Sequence, residues 1–81
     1  MSKVSVIFKV YPEESSLEAV SDSIRVMNPK DLKTEDLAFG IKVVRAMFIF
    51  DDTQMRSSTL EDSLRKIKGV SEVEVEQETL I

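Results

Sequence analysis

The 81-residue sequence contains no cysteine, no histidine and no tryptophan, and these absences exclude several kinds of chemistry. Without cysteine there is no disulfide and no thiol nucleophile, and without cysteine or histidine the usual zinc sites cannot form. Without histidine there is no imidazole general base and no serine–histidine triad. Two glycines are too few for a glycine-rich phosphate loop. We therefore expect no catalytic residue, no metal and no cofactor.

Basic charge and long apolar runs are also scarce. Eleven Lys and Arg against 15 Asp and Glu give a net charge of -4, whereas a nucleic-acid surface needs clustered basic side chains. No apolar run approaches the roughly 20 residues of a membrane span, and Met1-Ser2-Lys3 leads into a strand pattern without signal-peptide organisation. We expect a cytoplasmic protein that binds neither nucleic acid nor membranes directly. The mild acidity fits a basic protein partner, or solubility alone.

Paired carboxylates at Asp51-Asp52 and Glu13-Glu14 are the remaining candidates for acid–base or cation chemistry. General acid–base catalysis needs two carboxyl groups held in different environments of a cleft. A calcium loop needs several oxygen ligands at fixed spacing, and the sequence lacks that pattern. We interpret both pairs as solvated loop residues, and the sequence assigns no function to Asp51 or Asp52.

The spacing of apolar residues predicts one domain over residues 1–81 with the order β-α-β-β-α-β. Alternation predicts strands at Val4–Val10, Leu32–Leu37 and Ile41–Phe50 and around Val73 and Val75. Helical spacing predicts helices at Leu17–Met27 and Leu60–Ile67, with Ser15-Ser16-Leu17-Glu18 as a capping box, Ser57 or Ser58 as the second N-cap and Gly69 as a C-cap. This order is typical of a ferredoxin-like α+β sandwich, in which both helices cover one face of a four-stranded antiparallel sheet.

The long third strand has two different faces. One carries the uncharged set Val44, Ala46, Phe48 and Phe50, which we assign to the helix-covered core. The other carries Val43, Arg45, Met47 and Ile49, and Arg45 is hard to bury unpaired. Together with Ile7 and Tyr11, and flanked by Lys9, this open face is more apolar than a free surface usually is. It suggests a contact patch or a dimer interface.

A turn that carries an aromatic residue, Ala38-Phe39-Gly40-Ile41-Lys42, directly precedes the most apolar run. Turns that contain glycine usually have small or polar neighbours. Phe39 is therefore either folded back onto the core or presented to another molecule, and the residues alone leave both interpretations open.

Leu37-Ala38-Phe39-Gly40-Ile41-Lys42, followed by a long apolar strand that ends in Asp51-Asp52, resembles the guanine-nucleotide-exchange domain family of translation elongation factor 1-beta in its archaeal form. Residues 68–75 are a weaker echo of the entry to that family's last strand. The resemblance implies exchange of GDP for GTP on elongation factor 1-alpha during translation elongation. It implies binding without covalent chemistry, by a domain that is a monomer when free.

The resemblance also implies which residues contact the partner. The turn aromatic of the family inserts into the GTPase, which gives Phe39 and Gly40 a binding role, and Lys42 is either a further contact or a solvated lysine. In eukaryotic members a penultimate lysine reaches toward the magnesium and phosphate site, and Leu80 stands at that position here. Leu80 and Ile81 would then either insert as apolar groups or only pack on the sheet. The alternative function is a ferredoxin-like module that senses a ligand or associates with itself.

Overall fold

Six main elements account for most of residues 3–51, 53 and 56–81, the part of the chain that a computed structural model describes. They are β1 (Lys3–Pro12), α1 (Leu17–Val26), β2 (Asp31–Asp36), β3 (Lys42–Asp51), α2 (Ser57–Arg65) and β4 (Val70–Leu80), with a short turn at Ala38–Gly40. The predicted order β-α-β-β-α-β is confirmed. Within these described residues, neither helix is long and apolar enough to cross a membrane.

The four strands form one antiparallel sheet in the order β2-β3-β1-β4, which confirms the ferredoxin-like fold. The central strands β1 and β3 pair from Lys3–Asp51 to Val10–Val44. As central strands, β1 and β3 are hydrogen-bonded to a neighbouring strand on both sides, which satisfies the backbone of these two apolar segments. β2 lies at an edge, as its charged residues predict, since charge on an edge strand discourages pairing with another chain.

The core lies between the helix-covered face of the sheet and the two helices. Its buried members are Val6, Phe8, Val10, Val20, Ile24, Val44, Ala46, Phe48, Leu60, Leu64 and Val73. Phe8 and Phe48 meet edge to face, with 6.0 Å between their ring centroids and 68° between their planes, a favourable geometry for aromatic pairs. Both rings are buried on the helix side of the sheet, where the sequence pattern predicted Phe48 to lie.

The serine caps predicted for the two helices are wrong. The N-cap residues are Ser16 for α1 and Arg56 for α2, and neither makes a side-chain hydrogen bond to the helix. Ser15 has a φ of 69°, outside the extended region that an N-cap residue usually adopts. Ser57 is already the first residue of α2. The Ser16 carbonyl does accept the Val20 N–H at 2.9 Å, so the backbone begins α1 without a side-chain cap.

Gly69 is not the C-cap of α2 but the residue that joins the start of β4 to the β1–α1 loop. It lies beyond the helix with a φ of 96°, in a turn closed by the Val70 N–H and the Ile67 carbonyl at 3.2 Å. A Cβ at this position would lie 2.9 Å from the Cβ of Ser16. The Gly69 carbonyl accepts the Glu13 N–H at 2.7 Å. Only glycine allows this close approach, which holds the β1–α1 loop at one end of the sheet.

Candidate partner-binding site

Phe39 stands at the tip of the β2–β3 hairpin with 99 % of its surface exposed. The Ile41 N–H donates to the Ala38 carbonyl at 3.4 Å, and Phe39 and Gly40 both have positive φ angles, 63° and 74°. Two successive positive φ angles are typical of the type I′ turn, whose twist matches that of the flanking strands. The exposure excludes the interpretation in which Phe39 folds back onto the core.

The turn holds its aromatic residue in an unfavourable backbone conformation. A residue with a Cβ pays about 1–2 kcal/mol in the left-handed region, and type I′ turns favour Asn or Gly at this position. Phe39 recovers none of this by burial within its own chain. Backbone strain clusters at functional sites, so an exposed phenylalanine held in this conformation favours a contact role for Phe39.

Phe39 borders a groove of about 420 Å³ between the β2–β3 turn and the β1–α1 loop. The lining residues are Pro12, Glu13, Glu14, Ser15 and Leu17 from one segment and Phe39, Gly40, Ile41 and Lys42 from the other. The two segments meet because β1 ends and β3 begins at the same end of the sheet. Reasoning from the sequence interpreted Glu13-Glu14 only as solvated acids and missed this neighbourhood. The antiparallel pairing of β1 with β3 was the signal that could have revealed it.

Lys42 begins β3 opposite its register partner Asp36 on β2. Its Nζ lies 3.9 Å from the Asp36 carboxylate, and both side chains are at least half exposed. Exposed pairs of this kind are worth about 0–1 kcal/mol. The Lys42 ammonium could therefore exchange Asp36 for an acceptor on a partner at small cost.

Leu80 and Ile81 lie at the opposite end of the sheet. Leu80 pairs with Val4, and Val4 pairs with Phe50, which is eight residues after Lys42 in β3. At about 3.3 Å per residue, this separates the two ends by about 26 Å. The predicted binding residues thus form two groups, Phe39, Gly40 and Lys42 at one end and Leu80 and Ile81 at the other.

A β-bulge in β4 determines which face Leu80 occupies. The register pairs that flank it are Ile7–Gln77 and Phe8–Val75, which leaves Glu76 as the extra residue. One extra residue reverses the alternation of faces along the rest of the strand. Leu80 therefore shares the helix-covered face with its partner Val4 instead of pointing to the open face.

The backbone of residues 80 and 81 is held in the sheet, while both side chains remain accessible. Ile81 and Lys3 exchange two backbone hydrogen bonds, at 2.8 and 3.4 Å. Leu80 is 69 % exposed and Ile81 is 65 % exposed. Neither side chain is packed away, so both are available for contact with a partner.

The open face of the sheet is more charged than its sequence pattern predicted. Val43 is fully buried there, and only Ile49 among its large apolar residues is clearly exposed. Arg45 lies across the middle of the face, with its guanidinium 2.5 Å from Glu35 on β2 and 2.6 Å from Glu76 on β4. Hydrogen bonds from Arg45 to these two carboxylates raise its pKa. The expectation of an apolar patch is corrected, because this ion-paired cluster spans the sheet from edge to edge.

Asp51 has a local structural role at the end of β3. Its Oδ1 accepts the Thr53 N–H at 2.9 Å and the Thr53 hydroxyl at 2.7 Å. These hydrogen bonds, the backbone one first, lower the pKa of Asp51. Its predicted companion Asp52 lies outside the described residues. In the described part of the chain, no three potential metal-ligating side chains come together.

The part of the chain that matches known proteins includes both groups of predicted binding residues. The family described as the EF-1 guanine nucleotide exchange domain matches residues 5–81. The chain is 33% identical to the elongation factor 1-beta of Methanosphaerula palustris, over 99% of both chains. It is 37% identical to that of Staphylothermus marinus, over 94% of this chain and 93% of that protein. It is 36% identical to that of Metallosphaera sedula, over 93% and 91%.

Proposed function

The chain belongs to the EF-1 guanine nucleotide exchange domain family, and from that premise we propose that residues 1–81 act as one domain that promotes exchange of GDP for GTP on elongation factor 1-alpha. The observation that carries the proposal is the exposure of Phe39 at the tip of a hydrogen-bonded hairpin. Aromatic side chains that fill a pocket on a partner are the usual hot spots of protein interfaces. Phe39 is presented for that role and contributes little to its own core.

Exchange of this kind requires differential binding and no covalent chemistry. If the domain binds the nucleotide-free GTPase more tightly than the GDP-bound form, it weakens GDP binding by the same factor. A rigid sheet with accessible apolar side chains at both ends suits this purpose, because contact at two points about 26 Å apart imposes a spacing on the partner. The domain stabilises whichever partner conformation matches that spacing.

Leu80 determines what kind of contact the domain can make at the Leu80–Ile81 end of the sheet. An aliphatic side chain cannot replace Mg²⁺ or attract a phosphate, as the lysine of eukaryotic members is implied to do. We propose that Leu80 acts by apolar contact, aided by its position on the helix-covered face beyond the β4 bulge. Exchange then depends on the fit of the partner's conformation and not on charge competition from this residue.

Affinity for the two nucleotide states of elongation factor 1-alpha tests the proposal. The domain is titrated against the nucleotide-free and the GDP-loaded GTPase by isothermal calorimetry. We expect the nucleotide-free form to bind at least about tenfold more tightly, within the usual range of coupling between sites. Equal affinities would contradict an exchange function.

We further propose that the free domain is a monomer and acts in the cytoplasm. Sedimentation velocity at the concentrations of the titration checks the first statement. A stable dimer that buries Met47 and Ile49 of the open face would favour the self-associating alternative.

A further inference from the structure

The groove beside Phe39 combines an apolar lining with acidic side chains that lack partners in the described chain. Pro12 and Leu17 are half-buried, and Ile41 is 52 % exposed. Glu13 and Glu14 are exposed, and neither forms an ion pair with any described residue. An apolar surface edged by unpaired carboxylates favours a guest that is apolar and positively charged.

The basic residue of the lining does not cancel this acidity. Lys42 already faces the Asp36 carboxylate, 3.9 Å away. Because Glu13 and Glu14 carry two negative charges against the one positive charge of Lys42, the lining of the groove keeps a net negative charge. An anionic ligand is disfavoured for the same reason, since like charges placed together across an interface are repulsive.

Both segments that form the groove are held by backbone hydrogen bonds. On one side the Glu13 N–H donates to the Gly69 carbonyl at 2.7 Å, and the Glu13 carbonyl accepts the Ser16 N–H at 2.9 Å. On the other side the Leu37 N–H donates to the Ile41 carbonyl at 2.6 Å. A surface that is already ordered loses little conformational entropy when it binds, so the groove is preorganised for a guest.

We propose that this groove receives a segment of the GTPase partner in which an apolar side chain adjoins a lysine or arginine. The apolar side chain packs against Phe39, Leu17 and Ile41, and the basic group pairs with Glu13 and Glu14. The identity of the partner rests on the function proposed above. The segment of residues 12–17, which contains the β1–α1 loop, then becomes a second recognition element beside the Phe39 turn.

Charge reversal with a matched control tests the inference. Glu13→Lys/Glu14→Lys is compared with Asp22→Lys/Asp62→Lys, which changes the net charge equally at exposed helix positions that do not line the groove. For the groove variant we expect the Kd for nucleotide-free GTPase to rise about tenfold or more at low salt. The rise should shrink at about 0.5 M salt, because ions screen exposed charges. The control should stay within about twofold of wild type, and circular dichroism should show both variants folded.

The outcomes separate failure of the inference from failure of the proposed function. If wild type binds the GTPase and Phe39→Ala weakens binding, but the groove variant behaves like the control, the groove inference is overturned alone. If wild type does not bind the GTPase, both proposals fall.

A crosslinking experiment locates the contact independently. Because the chain has no cysteine, Ser15→Cys in the groove and Ser63→Cys on the exposed side of α2 can each carry a single short photo-crosslinker. We expect the GTPase to be captured from position 15 and not from position 63, at a peptide that contains an apolar residue next to lysine or arginine. Equal capture from both positions, or capture at an acidic peptide, would overturn the inference.

Discussion

Phe39 and Leu80 are exposed apolar residues beyond opposite ends of the stretch of β3 from Lys42 to Phe50, which is about 26 Å long. The first projects from a hairpin tip, and the second lies on β4, where its backbone pairs with Val4 of β1. Leu80 lines a cavity with Val4 and Phe50, whereas Phe39 lines the groove with the β1–α1 loop. A partner that contacts the two residues must therefore do so at two separate sites.

Truncation of the aromatic ring is expected to impair binding without loss of stability. Phe39→Ala should weaken the complex with nucleotide-free elongation factor 1-alpha by about 2 kcal/mol or more, as for interface hot spots. The melting temperature should hardly change, because the ring is almost fully exposed. Calorimetric titration and thermal unfolding measure the two effects. A variant that binds normally would remove Phe39 from the interface.

Phe39 and Leu80 should contribute independently to the free energy of binding. Residues more than about 7–10 Å apart with no shared partner usually have additive effects, within about 0.5 kcal/mol. The loss of binding free energy in Phe39→Ala/Leu80→Ala is thus expected to equal the sum of the single losses. The losses are measured on the nucleotide-free GTPase, whose conformation both contacts already fit, and a deviation above about 1 kcal/mol would show that the two side chains share one site.

Introduction of a lysine at position 80 should accelerate the release of GDP from elongation factor 1-alpha. Leu80→Lys would supply the ammonium that the resemblance assigns to eukaryotic members. We expect the GDP-release rate at saturating domain to rise by about threefold to tenfold, which corresponds to a barrier lower by about 0.7–1.4 kcal/mol. Leu80→Gln is the uncharged control and should not increase the rate. Equal rates in the two variants would show that charge at this position has no role.

The two glycines should respond differently to a methyl group. In Gly69→Ala the new Cβ would meet the Cβ of Ser16 at 2.9 Å and Cγ2 of Val20 at 3.3 Å. We expect a loss of about 2 kcal/mol or more in unfolding free energy, from backbone strain and overpacking together. Gly40→Ala meets nothing within 4 Å and should lose only about 1 kcal/mol through its positive φ. Urea denaturation measures both, and equal losses would contradict the packing role of Gly69.

Asp51 should affect stability in a pH-dependent way. Its folded-state pKa is lowered, chiefly by the backbone hydrogen bond from Thr53. The ionised carboxylate therefore contributes stability above the unfolded pKa of about 3.9, and the contribution is lost as pH falls through the folded pKa. Urea midpoints of wild type and Asp51→Asn should differ at pH 7 and converge in strong acid. A constant difference across this range would show that the charge has no part in it.

The central layer of the fold was predictable because its residues alternate clearly. Val44, Ala46 and Phe48 are separated by Arg45 and Met47, so the buried face of β3 could be identified by its lack of charge. Phe39 could also be identified as unusual, since an aromatic residue beside a turn glycine needs an explanation. Its exposure required the structure, because a folded-back ring would have the same sequence.

The details that sequence reasoning missed depend on contacts between distant segments. Ser15 has a positive φ angle in the β1–α1 loop, which is held by the hydrogen bond from Glu13 to Gly69. The sequence around Ser15 does not show that Gly69 lies beside this loop. The bulge at Glu76 depends on how β4 registers against β1, and the run of glutamates around it carries no signature of an extra residue. Glu13 and Glu14 became part of a groove only when the sheet brought their loop next to Phe39.

The most direct test of nucleotide exchange by this domain is the rate at which elongation factor 1-alpha releases a fluorescent GDP analogue into excess unlabelled GDP. The rate is measured by stopped flow with and without the domain at micromolar concentration. We expect wild type to accelerate release by about tenfold or more, within the usual range of coupling between sites, and Phe39→Ala to lose most of this effect. Release at the unassisted rate in the presence of wild-type domain would contradict the proposed function.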